Sequence, residues 1–131
     1  LTDIMTFTFR YFQKHSPGHL ASITSIAALR GNKSAPAYTA SKAYQSNYLE
    51  GLRQKSRNQK LKITVTDIRP GFVATDMAKG EKLFWAASPE KAASQIYRAI
   101  RRKKKMAYIS KRWGLFALAM KIAPRWMYDL F

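Results

Sequence analysis

The chain has 131 residues, 47% of them hydrophobic, so it is long enough to bury the core of one compact domain. It contains no cysteine, which excludes a disulfide scaffold and a thiolate metal site, and we expect no metal. Its formal charge is +17, from 24 Lys and Arg against 7 Asp and Glu, so its surface would attract anions.

The spacing of apolar residues predicts helices and strands that alternate along the chain. Residues 1–14 carry a helical apolar face and would end a longer helix. Strands are predicted at 20–25, 62–68 and 105–110, and further helices at 37–58 and from 89 to about 103. Ser88 as N-cap, Pro89 and Glu90 form a favourable start for the last of these helices. The alternation indicates an α/β fold.

Three residues in the first half of the chain form a candidate acid/base site. Tyr38 and Lys42 lie one helical turn apart and share a helix face. Ser25 lies at the carboxyl end of the first predicted strand, where open α/β sheets bind ligands. A free phenol has a pKa of about 10, and a nearby ammonium favours its anion. Ser25 would hold a substrate oxygen, while Tyr38 gives it a proton in carbonyl reduction or takes one in alcohol oxidation.

A Tyr-x-x-x-Lys pair alone is a weak signal, because the chain has seven tyrosines and fourteen lysines and exposed helices often carry such pairs. Two neighbouring motifs strengthen it. Ile23-Thr24-Ser25 ends the first predicted strand, and Pro70-Gly71-Phe72-Val73-Ala74-Thr75 directly follows the second. With these motifs in this order, the chain resembles the C-terminal half of a short-chain dehydrogenase/reductase, and the similarity covers most of residues 1–110.

The resemblance implies a fold, an activity and a cofactor. The fold would be the C-terminal portion of a Rossmann-like doubly wound parallel sheet, with about three strands and flanking helices. The activity would be an NAD(P)(H)-dependent oxidoreductase that interconverts a secondary alcohol and a carbonyl, with NAD and NADP equally open. Lys42 would bind the ribose hydroxyls, and the Val73 backbone and Thr75 hydroxyl would meet the carboxamide. The implied cofactor-binding residues are Tyr38, Lys42, Pro70, Gly71, Val73 and Thr75.

The chain departs from the family in its glycines. The six glycines are never closer than nine residues, so no glycine-rich phosphate loop can be drawn. Such a loop binds the dinucleotide pyrophosphate, and the residue that selects NAD or NADP follows it. The family's catalytic asparagine would lie just before Leu1. We therefore expect an inactive fragment that does not bind dinucleotide and associates through its unpaired first strand.

The resemblance also bears on substrate and partners. Residues 78–87 would form the variable substrate loop, in which Phe84 and Trp85 line an apolar pocket for a small-molecule alcohol or carbonyl. In the family, the helices corresponding to 1–14 and 37–58 often build an interface between copies, so we expect a homo-oligomer. Ordinary core packing of these helices is an equally open alternative.

The basic and apolar segments near the end of the chain suggest further partners. The basic run 101–105 lies at a helix-to-strand turn, where a solvated surface is expected rather than nucleic-acid binding. Residues 111–131 are predicted as a separate helical tail after the 1–110 catalytic portion. Its apolar stretch is too short for a bilayer span of about 20 residues. The tail would lie in a membrane interface or cover the substrate cleft or a dimer partner.

The alternative to an oxidoreductase is a non-catalytic relative that binds a membrane or a protein. The intact set of Ser25, Tyr38, Lys42 and Thr75 speaks against this alternative. We expect a cytoplasmic location, with peripheral membrane contact through 111–131 left open.

Overall fold

A computed structural model describes residues 1–73, 86–124 and 126. In chain order, its elements are α1 (Thr2–Lys14), β1 (Gly18–Ile23), a 3-10 helix (Ile26–Leu29), α2 (Pro36–Asn58), β2 (Ile63–Pro70), α3 (Pro89–Arg101), β3 (Met106–Ile109) and α4 (Arg112–Ile122). Ser88 caps α3, because its hydroxyl accepts a hydrogen bond from the Lys91 backbone. The predicted alternation of helices and strands is confirmed.

The strands form one parallel sheet in the order β1-β2-β3. The register of β1 on β2 runs from Gly18 beside Ile63 to Ile23 beside Ile68. β2 pairs with β3 up to Pro70 beside Ile109. Because all three strands run the same way, the residues that follow them meet at one edge of the sheet. The predicted parallel sheet of about three strands with flanking helices is confirmed.

Two hydrophobic clusters lie on opposite faces of the sheet, because successive strand residues point to opposite sides. Val65 of β2 belongs to one cluster and Ile68 belongs to the other. α1 and α2 cover the first face, and α3 covers the second. The first cluster is Met5, Phe9, Leu20, Leu49, Leu52, Ile63 and Val65, and the second is Ile68, Ala87, Ala92, Ala99 and Ile109.

The predicted bounds of all three strands are wrong by one or two residues, and β2 runs over Ile63–Pro70 instead of 62–68. β1 ends at Ile23 instead of reaching Ser25, and β3 is shorter at both ends than 105–110. The Thr24 backbone still donates to Ile68 O at 2.7 Å. Ser25 then leaves the sheet, because its hydroxyl accepts from the Ala27 backbone at 3.1 Å and so caps the 3-10 helix.

The tail contains one described helix, α4, which packs against β3 and the 3-10 helix through buried Trp113 and Ala117. It ends just before Pro124, since proline disfavours a helical residue before it. The Arg30 guanidinium donates to Met120 O and to Ala123 O at 2.9 to 3.2 Å, which satisfies carbonyls at the helix end. Within 1–73, 86–124 and 126, no helix is long and apolar enough to cross a membrane.

His19 on β1 makes folding sensitive to pH. Its Nε2 lies 2.7 Å from Thr66 Oγ1, and burial together with the Lys103 charge lowers the pKa of His19 below its ordinary 6.5. The unfolded chain therefore binds this proton more readily than the folded chain, so stability should fall as pH drops below about 6.5. We expect urea unfolding from about pH 7 to about pH 5 to show a smaller loss of stability in His19→Gln. An equal loss in both proteins would contradict this assignment.

Candidate active site

The order of elements brings the three predicted catalytic residues to the carboxyl edge of the sheet. Ser25 follows β1 directly and is buried. α2 packs against the 3-10 helix and then runs back toward the start of β2. The first turns of α2, which hold Tyr38 and Lys42, therefore lie at the same edge as Ser25. Pro36 at the start of α2 suits the fixed backbone angle of a first helical residue.

Lys42 lies beside the ring of Tyr38. Its Nζ is 5.7 Å from the ring centroid and donates to Gln45 Oε1 at 3.5 Å. Tyr38 is about half exposed, at 50%. Gln45 was not predicted, although its spacing of three residues from Lys42 places both on one helix face. The pair thus offers a phenol hydroxyl and a cation on the accessible side of α2.

A buried ion pair lies on β2, close to the carboxyl edge of the sheet. Asp67 and Arg69 of β2 are joined by a 2.8 Å contact from Arg69 Nε to Asp67 Oδ2, with side chains 0% and 7% exposed. Asp67 also accepts from Thr24 Oγ1 at 2.5 Å and from Ser46 Oγ at 2.7 Å. Arg69 contacts Ser46 Oγ and donates to the Tyr108 hydroxyl at 3.3 Å. Such hydrogen bonds satisfy charges that would otherwise be costly to bury.

This network connects the elements that carry the candidate site. Thr24 immediately precedes Ser25, and Ser46 lies one helical turn beyond Lys42 on α2. The network therefore fixes the end of β1 and the first half of α2 relative to β2. Sequence reasoning missed it, although opposite charges two residues apart in an apolar strand were a readable signal, since they share one face of the sheet.

The predicted cofactor-binding segment after β2 is described only in part. Pro70 ends β2, and the Gly71 backbone donates to Ile109 O at 2.5 Å. Val73 forms a parallel bridge with Ala87, which holds the segment beside the start of α3. Packing also requires glycine at position 71, because a side chain there would collide with the Trp113 indole. Thr75 and the predicted pocket residues Phe84 and Trp85 lie outside the described residues.

Three aromatic rings cluster beside this segment. The Trp113 ring contacts Phe72 and Phe116 edge to face, with centroids 5.6 and 5.3 Å apart. Trp113 is buried, whereas Phe72 and Phe116 remain partly exposed. α4 therefore places an apolar aromatic surface next to the carboxyl edge of the sheet. That the tail covers a substrate cleft stays a prediction.

Comparison with known proteins assigns the family. Residues 2–84 match the family model of short chain dehydrogenases, and the chain belongs to this family. An uncharacterised oxidoreductase from Myxococcus xanthus (strain DK1622) is 40% identical over 60 residues, which are 46% of this chain and 23% of that protein. The C alpha-dehydrogenase of Sphingobium sp. (strain NBRC 103272 / SYK-6) is 29% identical over 83 residues, 63% of this chain and 27% of that protein. The chain thus spans about a quarter of these relatives.

Solved structures support the fold. A short chain dehydrogenase from Burkholderia cenocepacia J2315, in complex with NADP, has a TM-score of 0.73 at 20% identity and covers 87% of this chain. The bulky-bulky ketone specific alcohol dehydrogenase of Comamonas testosteroni has a TM-score of 0.61 at 16% identity and covers 89%. This chain matches 50% and 47% of those two chains, respectively. The likeness shows that the sheet and its helices follow the fold of these enzymes over half their length.

Proposed function

We propose that the protein to which this chain belongs is an NAD(P)(H)-dependent oxidoreductase that interconverts a secondary alcohol and a carbonyl. The observation that carries the proposal is that the segment after β1, with Ser25, packs against α2, whose first turns hold Tyr38 and Lys42, at the carboxyl edge of a parallel sheet. Ligands of open α/β sheets bind at this edge. The half-exposed Tyr38 side chain supplies a proton donor, and the Lys42 ammonium lies 5.7 Å from the centre of its ring.

Each of the three residues has a distinct role in this proposal. The Ser25 hydroxyl donates a hydrogen bond to the substrate oxygen and fixes its position. Tyr38 gives a proton to that oxygen during carbonyl reduction and takes it back during alcohol oxidation. Lys42 stabilises the tyrosinate that is left after proton transfer. Gln45 holds the Lys42 ammonium through the 3.5 Å hydrogen bond and so acts as a positioning residue.

The donor set fits the nicotinamide end of NAD or NADP. Lys42 offers an ammonium to ribose hydroxyls, and the backbone of the bridged residue Val73 offers polar groups to a carboxamide. Pro70 and Gly71 set the direction of this segment where it leaves β2, and Thr75 would complete the set. When bound there, the dinucleotide supplies or accepts a hydride. We propose that this chain alone is inactive, since these residues reach one end of the cofactor only.

The substrate proposed for this site is apolar and bulky. Phe72 and Phe116, which pack on the buried Trp113 ring, present aromatic surface at the edge where Ser25 and Tyr38 lie. Apolar lining with a few polar groups is typical of small-molecule sites. The name of the similar ketone-specific enzyme from Comamonas testosteroni is consistent with a large ketone.

We also propose that the protein forms homo-oligomers through α1 and α2. Both helices expose large apolar side chains to solvent, and exposed apolar patches are typical of interfaces. These side chains are Ile4, Phe7 and Tyr11 on α1 and Tyr44 on α2.

The activity is tested by Ser25→Ala in the whole protein. Loss of the hydroxyl should lower kcat/KM for a bulky aromatic ketone by about 100-fold, the usual effect of one lost donor to a reacting oxygen. Oxidation of NADH and of NADPH, followed by absorbance, measures both cofactor options. Ser22→Ala, three residues earlier within β1, is the matched control and should remain near wild type. An unchanged rate in Ser25→Ala, or turnover by the 131-residue chain alone, would contradict the proposal.

A further inference from the structure

We propose that the outer face of α4 binds an anionic membrane surface. This face consists of Leu115, Leu118 and Ile122, whose side chains are 74%, 59% and 76% exposed. Their spacing of three and four residues places them on one side of the helix. Trp113 and Ala117 face the protein, so α4 is apolar on its inner and its outer side. A helix that only packed on the domain would carry polar residues outside.

Cations border the outer face on both sides. At 100° per residue, Arg112 and Lys121 lie about a quarter turn to either side of the Leu115, Leu118 and Ile122 row. Both are exposed, as is Lys111 at the start of the helix. Such an apolar strip offers side chains to the headgroup region of a membrane, while the flanking cations meet anionic headgroups.

The charge around α4 selects an anionic membrane as the occupant. Residues 91–128 contain eleven Lys or Arg and no Asp or Glu. A second copy of this face would bring Arg112 and Lys121 against equal charges, which opposes self-association. An anionic lipid surface attracts cations that lie within about a Debye length of it. The apolar strip and the cations thus act together on one partner.

The attachment of α4 keeps this face outward. Arg30 binds the carbonyls at the end of the helix, and Trp113 is packed beneath its start against Phe72. Both ends are therefore held on the domain, and the helix cannot turn to bury its outer row without breaking these contacts. The row is presented as a preformed surface, which lowers the ordering cost of binding.

The test is co-sedimentation of the 131-residue chain with lipid vesicles. Phosphatidylcholine vesicles with roughly one quarter phosphatidylglycerol should bind the chain, and pure phosphatidylcholine should bind it at least about tenfold less. A triple variant, Leu115→Gln with Leu118→Gln and Ile122→Gln, should lower the affinity at least about tenfold. Because all three side chains are exposed, the variant should fold, which circular dichroism verifies.

Matched controls distinguish binding through the outer face of α4 from nonspecific hydrophobic or electrostatic binding to vesicles. Tyr97→Gln changes a similarly exposed large side chain on α3, outside the proposed interface between copies, and should leave vesicle binding unchanged. Arg112→Gln with Lys121→Gln should weaken binding, as should raising the salt concentration. Equal loss in the Tyr97 variant would overturn the proposal, as would full binding by the α4 triple variant. Light scattering that shows a dimer lost only in the α4 variant would assign the face to a second copy and overturn it as well.

Discussion

Tyr38→Phe in the whole protein should lower kcat at least about 100-fold, the usual scale of a positioned acid/base group. The substitution removes the hydroxyl that gives or takes the substrate proton and keeps the ring beside Lys42. Cofactor and substrate binding should therefore change little, and the loss should lie in kcat rather than in KM. Steady-state kinetics with a bulky ketone and either nicotinamide cofactor measures both quantities.

The chain offers a matched control for this substitution. Tyr44 lies on the same helix with similar exposure, 55% against 50% for Tyr38, and its ring stacks on Tyr48. Tyr44→Phe should keep near-normal turnover, because Tyr44 is not placed at the carboxyl edge of the sheet. Near-normal turnover in Tyr38→Phe would show that Tyr38 does not transfer the proton, and it would contradict the proposed reaction.

The second large effect is expected on stability. Asp67→Asn should lower the free energy of unfolding by about 3 kcal/mol, because it leaves the buried Arg69 guanidinium without its counter-charge. The variant also weakens the bonds that tie Thr24 and Ser46 to β2. Urea unfolding of the 131-residue chain, followed by circular dichroism, gives the change from the shift of the midpoint.

Two further variants define the cause of this loss. Asp3→Asn makes the same chemical change on the exposed first turn of α1 and should cost less than about 1 kcal/mol. Adding Arg69→Met to Asp67→Asn should restore part of the stability, because no uncompensated charge then remains buried. If Asp67→Asn unfolds at the wild-type midpoint, the ion pair does not hold these elements together.

The order of helices and strands could be predicted because each element carries its own local pattern. The Met5 and Phe9 spacing indicates a helix, and alternation in β2 indicates a strand, without knowledge of the rest of the fold. The approach of Tyr38 to Lys42 was also predictable, because a helix fixes the geometry of residues four apart. Strand ends were less certain, since Ser25 still has an extended backbone after the ladder stops.

The long-range contacts could not be predicted from the sequence. Arg30 binds carbonyls of residues ninety positions later, and no local pattern records such a partner. The side of α4 that packs on the domain could not be predicted either. A helix with apolar residues on both sides has no periodic pattern that distinguishes the packed side from the exposed side. The Asp67 and Arg69 pair was visible as a charge pattern, yet its bonds to Thr24 and Ser46 depend on how β1 and α2 pack.

The packing of Gly71 under the Trp113 indole links two distant parts of the chain in evolution. A methyl group at position 71 would overlap the indole, so the residue pair can change only together or by moving α4. Homologues that keep tryptophan at 113 should therefore keep glycine at 71. Homologues with a small residue at 113 are free to carry alanine at 71. The glycine of a loop motif would then covary with the tail helix rather than with the cofactor.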